Sequence, residues 1–239
     1  MNISSKIIAG SLAVGVLFSS CNGFNCVSGS GNQVSETRDV GSFTRVETSG
    51  SIKVILKQGP VNSLKITADD NIMKELETYV RGNRLIIDLD GSFCDVGPIT
   101  VFVTSKEYQG IEASGAVEIL GDGKLTVNDF DLDLSGSSKV DLEINAANVK
   151  TSSSGASEIF LKGQAGSHEL DLSGSSSVDA LDFVVGRYRI ESSGASDSRI
   201  NVLNELEISS SGSSDVQYRG NPTKIKNDES GASSLKKID

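Results

Sequence analysis

The tripeptide Ser-Gly-Ala/Ser returns seven times along this chain at almost even intervals, and nothing else in the sequence limits the fold so tightly. Its glycines are Gly115, Gly136, Gly155, Gly174, Gly194, Gly212 and Gly231, separated by 21, 19, 19, 20, 18 and 19 residues. Self-similarity at such a period marks a stacked repeat, in which each unit needs its neighbours to bury an apolar face. Counted from each glycine, the even positions are apolar or small. Four before it stand Ile111, Leu132, Thr151, Leu170, Ile190, Ile208 and Asn227; four after it stand Ile119, Val140, Ile159, Val178, Ser198, Val216 and Leu235. The odd positions carry charge, as in Asp131, Asp133, Lys139, Asp141 and Glu143. Alternation of period two belongs to strands with one buried side. The phase survives passage through the glycine, so each unit reads as one extended segment, bent at Ser-Gly and closed by a short loop. Gly121-Asp122-Gly123, Asn145-Ala146-Ala147-Asn148, Gly163-Gln164-Ala165-Gly166 and Gly220-Asn221-Pro222 mark the loops.

The expected architecture is an all-β solenoid, a parallel β-helix with repeats of about 19 residues. Backbone hydrogen bonds would run from one coil to the next, about 4.8 Å apart. Glycine at the bend tolerates unusual φ and lets backbones approach, and the serine beside it can bond a neighbouring serine or the backbone one coil away. A Ser/Gly-rich linker would not keep Val, Ile and Leu at fixed parity around every glycine. The core should be lean, which suits a chain with 5% aromatic residues and no Trp. The residue after glycine alternates between Ala and Ser, which leaves two periods open. Either each unit is a full coil and Gly136 stacks on Gly155, or each is half a coil and Gly136 stacks on Gly174. The full coil is preferred, because about 20 residues suffice for two short sides and two turns.

Residues 1–20 read as an export signal. Ile7 to Phe18 is a run of apolar and small residues too short to span a bilayer, and Leu17-Phe18-Ser19-Ser20-Cys21 resembles the lipobox of bacterial lipoproteins. Cys21 is therefore the expected lipidation site, and residues 21–32 the tether. The other cysteines, Cys26 and Cys94, can pair in an oxidising compartment or stay as separate thiols. Residues 33–239 form the solenoid domain, with 33–105 expected as an N-terminal β cap and 106–239 as the Ser-Gly repeats. In the cap region Ser49-Gly50-Ser51 echoes the repeat. Ile72 to Leu76 suits a short helical turn after Asp70-Asn71, and Arg81-Gly82-Asn83-Arg84 a hairpin turn.

The formal net charge of −10 argues against a nucleic-acid partner. Little in the sequence nominates catalysis. His168 is the one histidine and has no evident partner. Asp129, Asp131 and Asp133 share an outer face, and a solvated acidic face explains them better than a Ca²⁺ site. Carboxylates recur on every unit, so no pair stands out as an acid/base couple. No catalytic residue, metal or cofactor is expected. Among Phe160, Phe183, Tyr188 and Tyr218, Phe160 has outward parity and is the first to test for stacking on a sugar.

Taken together, several motifs resemble those of a known family. They are Cys21 in its lipobox-like setting, Gly29-Ser30-Gly31-Asn32, Arg38-Asp39-Val40 with Phe43, Ile66-x-Ala68-Asp69-x-Asn71, and the recurring Ser-Gly-Ala/Ser. In this order they are similar to the auto-transporter adhesin, head GIN domain family, over residues 33–230. The resemblance implies a right-handed β-helix-like fold, an exported or lipid-anchored protein of Gram-negative bacteria, and an adhesive role, with no catalytic residues to carry over. The expected function is that of a non-enzymatic cell-envelope protein, lipid-anchored at the outer membrane. It would meet a protein or polysaccharide partner through the outer face of the solenoid. A carbohydrate-binding or carbohydrate-active β-helix is the alternative.

Overall fold

The computed structural model describes residues 26–239, and Cys21 lies outside them. In chain order, β1 (Val27–Ser28) and β2 (Gln33–Arg38) precede a first coil made of β3 (Arg45–Gly50) and β4 (Lys53–Gln58). Next come β5 (Ser63–Asp69), a 3-10 turn at Ile72–Lys74, β6 (Leu76–Arg81), β7 (Arg84–Leu89), β8 (Phe93–Cys94) and β9 (Thr100–Ser105). The repeats begin with β10 (Gly110–Gly115), β11 (Glu118–Thr126) and β12 (Asp129–Gly136). Four long strands follow, β13 (Lys139–Gly155), β14 (Glu158–Gly174), β15 (Ser177–Gly194) and β16 (Asp197–Gly212). Last are β17 (Asp215–Arg219), β18 (Lys224–Gly231) and β19 (Ser234–Lys237).

Every pairing between successive coils is parallel, and the bends stay in register throughout, while the register shifts away from them between Leu120 and Lys124, Phe160 and Lys162, and Ala180 and Arg187. Ser135 and Gly136 lie opposite Ser114 and Gly115 on one side and Ser154 and Gly155 on the other. Each Ser-Gly unit is therefore one full coil, and the alternation of Ala and Ser does not double the period. The residue after each glycine donates its N–H to the carbonyl of the glycine one coil earlier. Ala116 bonds to Gly50, Ser137 to Gly115, Ala156 to Gly136, and so on to Ala232 on Gly212, all at 2.8–2.9 Å. The column thus has eight members, because Gly50 heads it.

The inner side of each coil is apolar, as the parity requires. Val54, Ile119, Val140, Ile159 and Val178 form one fully buried ladder. Burying one such side chain is worth about 1.5–3 kcal/mol, so the ladder is a large part of the stability. Close to the bend, inward serines replace the aliphatic residues. Ser153 and Ser176 share a hydrogen bond of 2.9 Å, and Ser192 and Ser214 one of 2.7 Å. These hydroxyls, two residues to either side of glycine, make the serine-to-serine contacts. The serines directly before glycine point outward, and several reach the backbone one coil earlier, Ser135 Oγ donating to Ala113 O at 3.4 Å, Ser173 Oγ to Ser153 O at 3.5 Å and Ser230 Oγ to Ser210 O at 3.3 Å. On the far side of the coil, the expected loops of β13 and β14 are absorbed into the ladder, since Asn145 pairs with Gln164 and Ala146 with Ala165. Gly163, at φ 106°, makes this close stacking feasible.

Coil order departs from chain order at the N-terminal end. The first coil, β3 and β4, is flanked by β10 and β11 on one side and by β7 and β9 on the other. Residues 106–109 therefore bridge across the first coil. Tyr108 secures this bridge from inside, its buried hydroxyl donating to the carbonyl of Val103 at 2.8 Å, with the carbonyl of Lys57 at 3.1 Å sharing the same proton. Beyond β7 and β9 the pairing turns antiparallel, with β6 on β7, β5 on β9 and β2 on β5. These strands close one end of the solenoid and cover edges that would otherwise template association.

Two of the family-like motifs meet at this closed end. Ser30 Oγ donates to Asp70 at 2.6 Å, Asn32 Nδ2 donates to the same carboxylate at 3.1 Å, and Asn71 Oδ1 accepts from Ser30 N at 2.9 Å. The Ser30 hydroxyl, with help from Asn32, holds the Asp70 carboxyl below its ordinary value. Asn71 opens the 3-10 turn without capping it, because its side chain is committed to this contact and to the carbonyl of Ser28. The buried Asp69 carboxylate accepts from Gln33 at 2.6 Å and from Gly97 N at 3.1 Å. A disulfide joins Cys26 to Cys94, with Cα atoms 5.6 Å apart. The start of the described chain is thus clamped to the cap by a covalent bond and a polar cluster.

Candidate functional site

Outward positions one and three residues before each glycine line a continuous groove. It runs beside the glycine column from the cap to β18 and has a volume of about 1270 Å³. Its floor is a file of serine hydroxyls at each coil, among them Ser114, Ser154 and Ser193. The parallel register sets this file, because it lays the serine before each glycine over its counterpart one coil away, Ser135 on Ser154 and Ser193 on Ser211. One wall is acidic. The lining holds eight carboxylates against a single basic residue, Arg81. Many of these acids are paired with cations just outside the groove. Lys150 reaches Glu169 at 3.0 Å and Asp171 at 3.6 Å, Arg189 reaches Glu191 at 2.7 Å, and Arg84 pairs with Glu112. Such exposed pairs hold side chains in place more than they stabilise the fold.

At the cap, Tyr79 on β6 enters the lining beside Arg81, and its side chain is partly exposed. It is the aromatic group that the sequence reading did not single out. Its outward parity in the β6–β7 hairpin was the available signal. Phe160, by contrast, faces out from the opposite side of the coil, under the Lys139 ammonium at 5.9 Å and away from the groove. Phe183 and Tyr188 are wholly buried, and Tyr218 is packed against the core. None of the four aromatics named from sequence lines the groove.

The residues weighed for chemistry are dispersed. His168 is buried in the core, its Nε2 2.9 Å from Thr151 Oγ1 and its ring against Tyr188 and Phe183 at centroid distances of 5.1 and 5.7 Å. Burial pushes the imidazole down to about 3. Asp129 accepts from Asn128 and Asn148, Asp131 pairs with Arg45, and Asp133 lies in the groove wall. Among the described residues no three His, Cys, Asp or Glu side chains are placed to hold a metal ion.

The family model for "Putative auto-transporter adhesin, head GIN domain" matches residues 42–222, which is most of the chain. The chain belongs to this GIN-domain family. Solved structures share its fold. One is described as a putative adhesin from Bacteroides fragilis; it is 20% identical, with a TM-score of 0.85, and the match covers 89% of this chain and 100% of that one. A second, described as a putative lipid binding protein from Parabacteroides distasonis, is 16% identical at a TM-score of 0.66, covering 89% and 99%. A third, described as a putative adhesin from Parabacteroides merdae, is 15% identical at 0.61, again covering 89% and 99%. At these identities the likeness speaks for the fold. Among curated proteins none matches. The GIN-domain match runs from β3 to β17, so the family pattern takes in the first coil and the β5–β9 part of the cap and is not the Ser-Gly units alone.

Proposed function

We propose that this GIN-domain protein is a non-enzymatic adhesin of the cell envelope, lipid-anchored at the outer membrane through Cys21, and that it binds an extended polymer laid along the groove. The groove is the observation that carries the reading. It presents a serine hydroxyl at every coil, about 4.8 Å apart, and a carboxylate beside it at most of them, with Ser152 and Ser209 as the exceptions, which suits a chain molecule with a repeating unit rather than a compact ligand. Eight carboxylates against one arginine disfavour polyanions and favour neutral or amine-bearing partners.

A carbohydrate-binding reading draws support from Tyr79, whose partly exposed ring at the cap end of the groove can stack on a sugar while serine and carboxylate oxygens accept its hydroxyl protons. The test is to fill the groove halfway along. Ser154→Trp with Ser193→Trp should weaken retention on a polysaccharide or protein array at least tenfold, with the unfolding midpoint unchanged. Retention that survives the filled groove would place binding elsewhere. If the wild-type protein is retained by nothing at physiological salt, the adhesive reading fails. The anchor has its own check, since Cys21→Ser should move the protein from the membrane fraction to the soluble one.

A further inference from the structure

We infer that the solenoid stands on its closed end, with the cap of β2, β5 and β6 facing the lipid surface and the groove leading away from it. This rests on the proposed acylation of Cys21 and adds the direction in which the molecule is presented. The first argument is chain length. Cys21 and Cys26 are five residues apart, which allows at most about 18 Å of extended chain. Cys26 is not free to move from the cap, because it is bonded to Cys94 and the following segment is pinned by Ser30 and Asn32 to Asp70 and Asn71. From Gly50 to Gly231 the column rises seven coils, about 34 Å. A tether shorter than the column, attached at the closed end, keeps that end nearest the bilayer.

Charge supplies a second, independent argument. Residues 26–105 hold eight Lys or Arg and ten Asp or Glu, a net charge of −2. Residues 106–239 hold thirteen and twenty-two, a net charge of −9. An anionic lipid surface therefore repels the shaft far more than the cap. The repulsion acts within a Debye length, about 8 Å at physiological salt, so it penalises a solenoid lying flat and spares one standing upright. Exposed apolar groups follow the same polarity. Of six large hydrophobic side chains exposed among the described residues, Val27, Val61, Tyr79 and Phe102 lie at the cap end, which holds little more than a third of that chain. Groups of this kind are tolerated at a lipid headgroup boundary.

The test uses lipidated protein purified from its membrane and reconstituted into vesicles of phosphatidylcholine and phosphatidylglycerol that carry a headgroup quencher. Val61→Cys and Lys236→Cys variants are labelled singly with a fluorophore; Cys26 and Cys94 are disulfide-bonded and do not react. Val61 is 69% exposed at the cap and Lys236 is exposed on β19. The label at 61 should be quenched at least fivefold more than the label at 236, with the contrast narrowing as salt rises. Equal quenching at the two positions, or stronger quenching at 236, in a chain shown by mass spectrometry to be acylated overturns the orientation alone. A chain without acyl groups on Cys21 overturns the anchor, and the orientation with it.

Discussion

Gly136→Ala should cost the fold on the order of 4 kcal/mol, a large share of what a domain of this size has to lose. Two causes add. Gly136 sits at φ 95°, which L side chains rarely adopt, and a Cβ built there would stand 2.6 Å from the carbonyl oxygen of Gly115 and 3.0 Å from its nitrogen. The carbonyl oxygen cannot retreat, because it accepts a hydrogen bond of 2.8 Å from Ser137 N on the next coil. In a stack where each coil touches only its neighbours, the damage should be local. Limited proteolysis should cut between the coils of Gly115 and Gly136 before it cuts elsewhere. Gly41→Ala is the control. It has no atom within 4 Å of the added Cβ and no left-handed φ, so its denaturation midpoint should stay within about 0.5 kcal/mol of the wild type. If both variants unfold alike, close stacking of the column is not what makes glycine necessary.

The second large effect concerns acid. His168 is held neutral by burial, with its imidazole pushed from about 6.5 down to about 3. Because the folded value is the lower one, the unfolded chain takes up the proton first as pH falls. The contribution is full above about pH 6.5 and drains away toward pH 3, at up to about 1.4 kcal/mol per pH unit. By pH 4.5 the loss from this one group should be about 2 to 3 kcal/mol. Removing His168 alone would orphan the buried Thr151 hydroxyl. The informative variant is Thr151→Val with His168→Leu, which removes both partners and also relieves the unpaired His168 Nδ1. Its stability at pH 7 should match the wild type within about 1 kcal/mol, and between pH 6.5 and 4.5 it should lose less by the amount given above. Parallel pH profiles for the two proteins would contradict a neutral buried imidazole. Tyr188, stacked one coil on and wholly buried, has its phenol pushed upward and stays neutral throughout this window.

Much of the fold was legible because a parallel, in-register stack writes the same parity at every coil. Ile119, Val140, Ile159 and Val178 announce one inner column, and the recurring glycines announce the bend. Gly50 was visible only as an echo. An excursion of 65 residues separates it from Gly115, yet Ile52 and Val54 keep the inward parity that marks a full coil. The order of coils was not legible. Strand pattern says that β7 and β9 carry buried residues, but not that the chain lays them on the far side of β3 and β4 and then bridges back through Tyr108. The groove was hidden for a related reason. Parity places Ser154 and Asp171 outside, whereas concavity comes from how successive coils sit on one another. Tyr79 belongs to the groove only because the β6–β7 hairpin lies at its end.

Stacking of consecutive units is the claim on which the rest stands, and paired cysteines test it in solution. In a Cys21→Ser background, Ser135→Cys with Ser154→Cys places two thiols on adjacent coils about 4.8 Å apart, inside the span a disulfide tolerates. Ser135→Cys with Ser173→Cys places them two coils apart, about 10 Å, beyond that span. The expected result under mild oxidation is a cross-link in the first pair and none in the second. A cross-link in the second pair alone would mean coils of two units, and none in either would mean that the glycines do not form a column.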